Sequence, residues 1–529
     1  MNVPRWEQYM RKKRPAGVLA AVLIAVSATG LIAAPALAAP VTAAAPTIQW
    51  GACPPDIAAE PGAAALQCGT ISVPLDYKRP SGPHINVAVS KLTATDKAKR
   101  RGVMLLNPGG PGGPGLDLPL VFGSLMPASV LQSYDLIGFD PRGLGHSNPL
   151  TCGLSAQQQQ NLIPYPSPDG FAAQVASQRQ VVQQCFDHSG AQLPYITTAN
   201  TARDMDQIRM GLGEPKISYL GYSYGTYLGA VYSSLFATHT DRIILDSSVG
   251  SQMIWRNEFR AWGPSTEIRF PDFTKWAAAQ NATYGLGATS DAVRATYFRL
   301  AAKLDAHPQP SMTGNLFRGT TRGALYNDAN FSALAQLWQS VDKADVVKAA
   351  KIASVFDAAP DDSSAVVLLG VLCGDTTWPK SLPQYQADSK HDARLFPVSG
   401  AMAGNVWPCA FWPKAPTEPL VPITSNGPSN ILVLQNLRDP ATIYSGGVQM
   451  RASLGNRARL VTVNQGGHGV YLLTPNTCAA NIATAFLVDG TFPNTDKYCA
   501  AGNAQLQSKA TGADRTQLIQ QIESRQRPF

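Results

Sequence analysis

Charged side chains are scarce in this sequence of 529 residues, and Asp, Glu, Lys and Arg together make up 15% of it. Beyond the first fifteen residues there is no long run of Lys or Arg, and basic residues do not alternate with aromatic ones as in RNA-binding strands. The net charge is +8, of which residues 1–38 hold +4. The remaining +4 is too small to indicate a nucleic-acid partner.

Short motifs of metal and nucleotide sites are also missing. The seven histidines are scattered without a His-Glu-x-x-His pair, and the eight cysteines include no Cys-x-x-Cys. A glycine-rich stretch at 107–115 lacks the Gly-Lys-Ser/Thr ending of a phosphate loop, and its glycines do not open a helical pattern as the Gly-x-Gly-x-x-Gly motif of a dinucleotide-binding site does. We therefore expect neither a metal nor another cofactor.

Residues 1–38 have the pattern of a secretory signal peptide. A basic start precedes an apolar stretch of Ala, Val, Leu and Ile, which ends at the small-residue site Ala-Leu-Ala. Gly30 and Pro35 interrupt this stretch, so a permanent membrane anchor is the weaker alternative. Cys53, the first cysteine, lies too far from the cleavage site for a lipid-modified amino terminus. The sequence predicts a secreted protein without a stable membrane anchor.

All eight cysteines follow this leader, and an even number in an oxidising compartment indicates disulfides. Spacing favours pairs between sequence neighbours, although eight cysteines allow about a hundred connectivities and the sequence alone cannot choose among them. The favoured pairs are Cys53 with Cys68, Cys152 with Cys185, Cys373 with Cys409, and Cys478 with Cys499.

Periodicity predicts an α/β fold with a mostly parallel sheet and an inserted helical lid. Short apolar runs alternate with helical patterns from about residue 70, which is typical of a parallel sheet covered by helices. We predict a first core part at 39–250, a helical lid at 251–424 and a second core part at 425–529. The strand signals are Val103–Leu106, Tyr134–Phe139, Ile217–Leu220, Ile243–Leu245, Ile431–Leu434 and Leu460–Val463.

Residues 221–225, Gly-Tyr-Ser-Tyr-Gly, place a serine between two glycines where a strand signal gives way to a helical one. In so sharp a turn, a Cβ at either glycine would collide with the strand or helix backbone. The pattern is typical of a nucleophile elbow with Ser223 as nucleophile, whose neighbours Tyr222 and Tyr224 pack or line the pocket. A glycine-containing strand end with a helix-capping serine is the alternative for these five residues alone.

A nucleophilic serine needs a histidine base and an acid that orients it, and on such a sheet the chain order is Ser, acid, His. Of the four histidines after Ser223, two lie in the predicted lid and His239 is too close on the adjoining helix. His468 follows a strand signal and is the predicted base. Asp439, after the preceding strand signal, is the predicted acid, and Asp246 is the alternative.

Hydrogen-bond donors for an oxyanion are expected from the residue after the nucleophile and from a loop after an early strand. The glycine-rich stretch at 107–115 follows such a strand signal. Pro111 has no amide hydrogen to donate. The amides of Gly110 and Tyr224 are therefore the predicted oxyanion hole.

These segments resemble the secreted bacterial tripeptidyl aminopeptidases and their α/β-hydrolase relatives, which include proline iminopeptidases and envelope esterase/proteases. The resemblance covers about residues 50–500. It is carried by Asn107–Gly113, Phe139–Gly143, Gly221–Thr226, Asp439–Thr442, Gly467–Gly469 and, in the lid, Cys373–Asp375 and Pro408–Pro413.

The resemblance implies an exopeptidase that releases short peptides, tripeptides above all, from free N-termini, with lid carboxylates that bind the substrate ammonium. Glu258, Glu267 and Asp375 are the candidates, and each could equally be a solvated or structural charge. Ile443 replaces the proline usual after Asp-Pro-x-Thr. Asn107-Pro108 replaces the His-Gly of proline iminopeptidases, which argues against a proline-specific single-residue enzyme.

Two alternatives to a peptidase stay open. The same triad would serve a carboxylesterase or lipid-ester hydrolase, because the sequence does not show how the lid shapes the pocket. A binding protein that kept the fold without the activity is the other alternative, and the intact triad argues against it.

Overall fold

The computed structural model describes residues 46–159, 161–163, 165–166, 170–309, 311–356, 362–502 and 512–527. These residues all belong to one compact unit. The predicted signal peptide at 1–38 lies outside the described residues.

A single sheet runs through the described part of the chain. Its strands are β1 (Gln49–Gly51), β2 (Leu66–Pro74), β3 (His84–Leu92), β4 (Gly102–Asn107), β5 (Tyr134–Phe139), β6 (Ile217–Tyr222), β7 (Thr240–Asp246), β8 (Ile431–Arg438), β9 (Ala458–Gly466) and β10 (Lys497–Cys499). Their spatial order is β1-β2-β3-β5-β4-β6-β7-β8-β9-β10. The first three strands and the β3–β5 pair are antiparallel, and all other pairs are parallel. The predicted α/β fold with a mostly parallel sheet is confirmed.

The central strands are apolar throughout because helices cover both faces of the sheet. Along β4, Val103 and Leu105 belong to one buried apolar cluster, whereas Met104 and Leu106 belong to a second one. Strands buried on both faces read as continuous apolar runs, which is why the sequence signals identify β4 to β9. The antiparallel strands β2 and β3 were not among those signals. In β2 buried residues alternate with exposed ones, so apolar runs do not mark it.

Twenty α-helices occur in the described residues. They are α1 (Pro55–Ala58), α2 (Leu118–Leu125), α3 (Ala128–Ser133), α4 (Ala156–Gln159), α5 (Phe171–Ser189), α6 (Thr198–Gly211), α7 (Tyr224–Leu235), α8 (Arg256–Arg260), α9 (Trp262–Ala279), α10 (Asn281–Tyr284), α11 (Ser290–Ala306), α12 (Gly314–Ala324), α13 (Phe331–Asp342), α14 (Val346–Phe356), α15 (Asp362–Gly374), α16 (Leu382–Leu395), α17 (Gly400–Ala403), α18 (Tyr444–Leu454), α19 (Thr477–Asp489) and α20 (Gly512–Gln526). No helix of the described part is both long and apolar enough to cross a membrane.

Helices α8 to α17 lie between β7 and β8, and we refer to residues 247–430 as the insertion. Its described residues contribute no strand to the sheet. They contain an apolar cluster of their own, in which the rings of Phe273 and Trp338 lie 5.0 Å apart. Ala344 has a positive φ of 58° between α13 and α14, and α14 begins two residues later, at Val346.

Four disulfides join the eight cysteines. The predicted pairing of sequence neighbours is confirmed in every case. Cys373 and Cys409 tie α15 of the insertion to a short turn, and Cys478 and Cys499 tie α19 to β10.

A buried ion pair holds the antiparallel edge of the sheet against α6. The fully buried guanidinium of Arg142 donates to both carboxylate oxygens of Asp204, at 2.7 and 2.5 Å. It also donates to the main-chain oxygens of Leu75 and Tyr195, at 3.0 and 3.2 Å. Asp204 is therefore the buried counter-charge of an arginine that connects three segments.

Asp204→Asn should destabilise the protein strongly, because it leaves the Arg142 charge buried without a counter-charge. We expect a loss of about 3–5 kcal/mol in the free energy of unfolding, measured by chemical denaturation. Asp342→Asn is the matched control, since Asp342 pairs with Arg299 where both side chains are exposed. That variant should lose no more than about 1 kcal/mol. Equal losses in the two variants would contradict the role given to Asp204.

Candidate active site

Ser223 lies where β6 ends and α7 begins, in a conformation that is rare for a residue with a side chain. Its φ is 55° and its ψ is −124°. The Ser223 amide donates to the main-chain oxygen of Asp246 at 3.1 Å, and its carbonyl accepts from the Thr226 amide at 2.9 Å. Neighbouring strand and helix therefore hold the strained turn in place, as is common at functional sites.

The two glycines of the turn have the steric role expected from the sequence. A Cβ on Gly221 would lie 2.6 Å from the main-chain oxygen of Gly225, and a Cβ on Gly225 would lie 2.6 Å from the side-chain oxygen of Asn107. The flanking tyrosines differ in their surroundings. Tyr222 stacks on Phe122 with ring centroids 5.6 Å apart, whereas Tyr224 lines the cavity next to Ser223.

His468 and Asp439 form a fully buried pair. The Nδ1 atom of His468 lies 2.9 Å from each carboxylate oxygen of Asp439. The amides of Ala441 and Thr442 donate to Asp439 at 2.8 and 2.9 Å and fix its orientation. With Nδ1–H donating to the carboxylate, Nε2 is the basic nitrogen. It is buried and has no hydrogen-bond partner among the described residues.

Asp246, the alternative acid, has a different set of partners. Its two carboxylate oxygens accept from the amides of Val470 and Tyr471, at 2.8 and 2.7 Å. Burial raises the pKa of Asp246 to about 8, against the opposing effect of these two amides. Asp439 is thus the carboxylate that contacts His468. Asp246 instead accepts hydrogen bonds from the chain segment that follows His468.

The glycine-rich loop after β4 runs beside the nucleophile. A Cβ on Gly109 would lie 2.9 Å from the Cβ of Ser223 and 3.4 Å from the amide nitrogen of Tyr224. The next residue, Gly110, lines the same cavity as Ser223 and Tyr224. The structure therefore brings both predicted oxyanion-hole residues to the wall of one cavity.

This cavity is small, about 20 Å³, and its walls come from three distant parts of the chain. Such a volume holds about one water molecule. The core contributes Ser223 and its neighbours, the insertion contributes Trp255, Glu258 and Tyr326, and α20 contributes Gln526.

Of the three carboxylates predicted to bind the substrate ammonium group, Glu258 lines this cavity. One of its oxygens, Oε2, accepts from the amide of Gly250 at 3.0 Å. The other, Oε1, is buried and has no hydrogen-bond partner in the described part of the chain. Burial raises the pKa of Glu258 to about 8.

The other two candidate carboxylates do not line this cavity in the described structure. Glu267 pairs with Arg294 at 2.9 Å and accepts from the amide of Val398. Asp375 lies behind Trp255, whose indole N–H donates to it at 3.2 Å, and it also accepts from the amide and hydroxyl of Thr198. Burial raises the pKa of Asp375 to about 6.

Trp255, Tyr326 and Gln526 are cavity residues that the sequence did not reveal. The main-chain oxygen of Tyr326 accepts from the His468 amide at 2.7 Å, and its ring lies edge-on to the imidazole. None of the three belongs to a local motif, because the tertiary fold brings them to the site. Nor does any group of three or more His, Cys, Asp or Glu within the described ranges form a metal site.

Known proteins resemble this chain along most of its length. A family model for TAP-like proteins matches residues 396–499. The chain is 34% identical to a tripeptidyl aminopeptidase of Streptomyces lividans over 459 residues, covering 82% of this chain and 84% of the relative. It is 31% identical to carboxylesterase B of Mycobacterium tuberculosis over 486 residues, with 87% and 91% covered. It is 29% identical to serine protease Hip1 of the same organism over 466 residues, with 82% and 87% covered.

The resemblance inferred from the sequence motifs is thus confirmed along most of the chain. Relatives that carry peptidase names and one that carries an esterase name align over similar lengths. The protein is an enzyme of the serine hydrolase class, and the chain belongs to the tripeptidyl aminopeptidase-like family of α/β-hydrolases.

Proposed function

We propose that this protein is a secreted serine exopeptidase that releases short peptides, tripeptides above all, from free N-termini. The observation that carries the proposal is the buried carboxylate of Glu258, which faces the same cavity as Ser223 and has one unpartnered oxygen. The preference for tripeptides is taken from the relative named tripeptidyl aminopeptidase. The four disulfides support secretion.

Ser223, His468 and Asp439 are the proposed catalytic triad. Nε2 of His468 takes the proton of the Ser223 hydroxyl as its oxygen attacks the scissile carbonyl, and then gives that proton to the leaving amine. Asp439 stabilises the imidazolium through Nδ1. The amides of Gly110 and Tyr224 donate to the oxyanion. Water then hydrolyses the acyl-enzyme with the same histidine as base.

Glu258 is the proposed binding site for the substrate ammonium group. A buried carboxylate without a counter-charge is unfavourable, and its raised pKa is a consequence of that burial. A bound ammonium group supplies the missing counter-charge and a donor for Oε1. A free N-terminus should therefore bind better than a blocked one.

The insertion is the proposed lid over this site, with Trp255 and Glu258 in the wall that faces Ser223. We propose domain bounds of 39–250 and 425–529 for the core and 251–424 for the lid. The strands that end at Asp246 and resume at Ile431 support these bounds.

A carboxylesterase is the second candidate, favoured by the identity with the relative named carboxylesterase B. The same triad hydrolyses esters, so the substrate decides between the two. A matched assay of Ala-Ala-Pro-arylamide, its acetylated form and a butyrate ester separates them. Cleavage of the free tripeptide with the blocked one spared supports the aminopeptidase. Turnover of the ester alone supports the esterase.

Ser223→Ala should abolish turnover of both the tripeptide arylamide and the ester, because it removes the nucleophile. We expect kcat/KM to fall by roughly 10³- to 10⁶-fold for each substrate. The variant should also fail to react with a fluorophosphonate probe while keeping the melting temperature of the wild type. Unchanged hydrolysis of either substrate would refute the assignment of Ser223.

Glu258→Gln should act selectively on substrates with a free N-terminus, because it removes the charge that binds the ammonium group. We expect kcat/KM for Ala-Ala-Pro-arylamide to fall by roughly 10²- to 10³-fold, as for the loss of one member of a buried charge pair. Turnover of the butyrate ester should change by no more than about threefold. Glu267→Gln is the matched control, since Glu267 pairs with Arg294 away from the cavity. Equal losses on both substrates in Glu258→Gln would argue against ammonium binding.

Glu258→Gln should also stabilise the protein, and more so at higher pH. In the unfolded chain the carboxyl ionises near its ordinary pKa of 4.5, whereas in the folded protein it ionises near pH 8. Its contribution to stability is thus fully present below pH 4.5 and is lost as the pH rises towards 8. The melting temperature of the variant should exceed that of the wild type by a larger margin at pH 8 than at pH 5. A margin independent of pH would contradict the shifted pKa.

A further inference from the structure

The end of helix α20 lies against the glycine-rich loop of the active site. The Arg525 guanidinium donates to both carboxylate oxygens of Asp117, at 2.7 and 2.5 Å. The main-chain oxygen of Arg525 would lie 2.9 Å from a Cβ on Gly113, so only a glycine allows this approach. A bidentate ion pair and a close backbone contact therefore fix the next residue, Gln526, at the cavity wall.

The side chain of Gln526 has unsatisfied hydrogen-bonding capacity. The residue is 1% exposed and lines the cavity together with Ser223 and Glu258. Neither its Nε2 nor its Oε1 has a hydrogen-bond partner among the described residues. An unpaired buried polar group destabilises the folded protein, so two such atoms in one side chain require an explanation.

Other glutamines of α20 lack this combination. Gln520 donates to the side-chain oxygen of Asn330 at 3.3 Å, and Gln517 is exposed to solvent. Gln517, Gln520 and Gln521 do not line the cavity that contains Ser223. The unpaired amide on this helix thus lies where a substrate must bind.

We propose that Gln526 binds a peptide group of the substrate, with Oε1 accepting from a substrate N–H and Nε2 donating to a substrate carbonyl. A carboxamide offers one acceptor and up to two donors, which complements the donor and acceptor of a peptide group. This assignment rests on the proposed peptidase function and adds a specificity determinant to it. An aminoacyl arylamide and a simple ester have no peptide group besides the scissile bond, so neither can use Gln526 in this way.

Gln526→Met in the full chain tests the assignment, because Met keeps the length of the side chain and removes both polar atoms. For Ala-Ala-Pro-arylamide we expect kcat/KM to fall about 10- to 100-fold. For Ala-arylamide and the butyrate ester we expect changes within about twofold. The melting temperature should stay the same or rise, since two unpaired buried polar atoms are removed. Gln517→Met, on the exposed face of the same helix, should match the wild type in every assay.

Several results would overturn the assignment. One is unchanged turnover of the tripeptide substrate in Gln526→Met. Another is an equal loss of kcat/KM on all three substrates together with a lower melting temperature, because that combination indicates a structural role. If Gln526→Met does not fold, Gln526→Ala must show the same selective loss. A wild type that hydrolyses the ester alone would refute the proposed peptidase and this role of Gln526 together. A wild type that cleaves the tripeptide while Gln526→Met cleaves it equally well would refute Gln526 alone.

Discussion

The hydrogen bonds of Asp246 connect the two halves of the active site, and the placement of the remaining residues depends on them. Its main-chain oxygen accepts from the amide of Ser223, while its carboxylate accepts from the amides of Val470 and Tyr471. Those amides are 224 and 225 residues further along the chain. Each of these hydrogen bonds satisfies a buried backbone N–H group. The turn that carries Ser223 and the loop that carries His468 are therefore held to the end of one strand, β7.

The proposed catalytic residues and the residues proposed to bind the substrate lie in different parts of the chain. Ser223, Asp439 and His468 follow strands of the sheet. Glu258 of the insertion and Gln526 of α20 line the cavity beside Ser223. Relatives named as peptidases and as a carboxylesterase align with this chain over similar lengths.

Some of the buried polar atoms without partners belong to residues at the candidate active site. Nε2 of His468, Oε1 of Glu258 and both amide atoms of Gln526 are buried without partners among the described residues. Such groups lower the stability of the folded protein. They are found at binding sites because a substrate can supply the missing hydrogen-bond partners.

The central strands and the triad candidates could be predicted from local sequence patterns. Strands buried on both faces are apolar throughout, and the Gly-x-Ser-x-Gly pattern lies within five consecutive residues. It could not separate Glu258 from Glu267 and Asp375, which lie in similar helical surroundings. The packed chain separates these three carboxylates. It brings Asp375 to Thr198 across 177 positions and Glu267 to Val398 across 131, whereas Glu258 lines the cavity. Gln526 could not be predicted from the sequence for the same reason. The burial of a residue and its lack of hydrogen-bond partners are properties of the packed chain, not of its sequence neighbours.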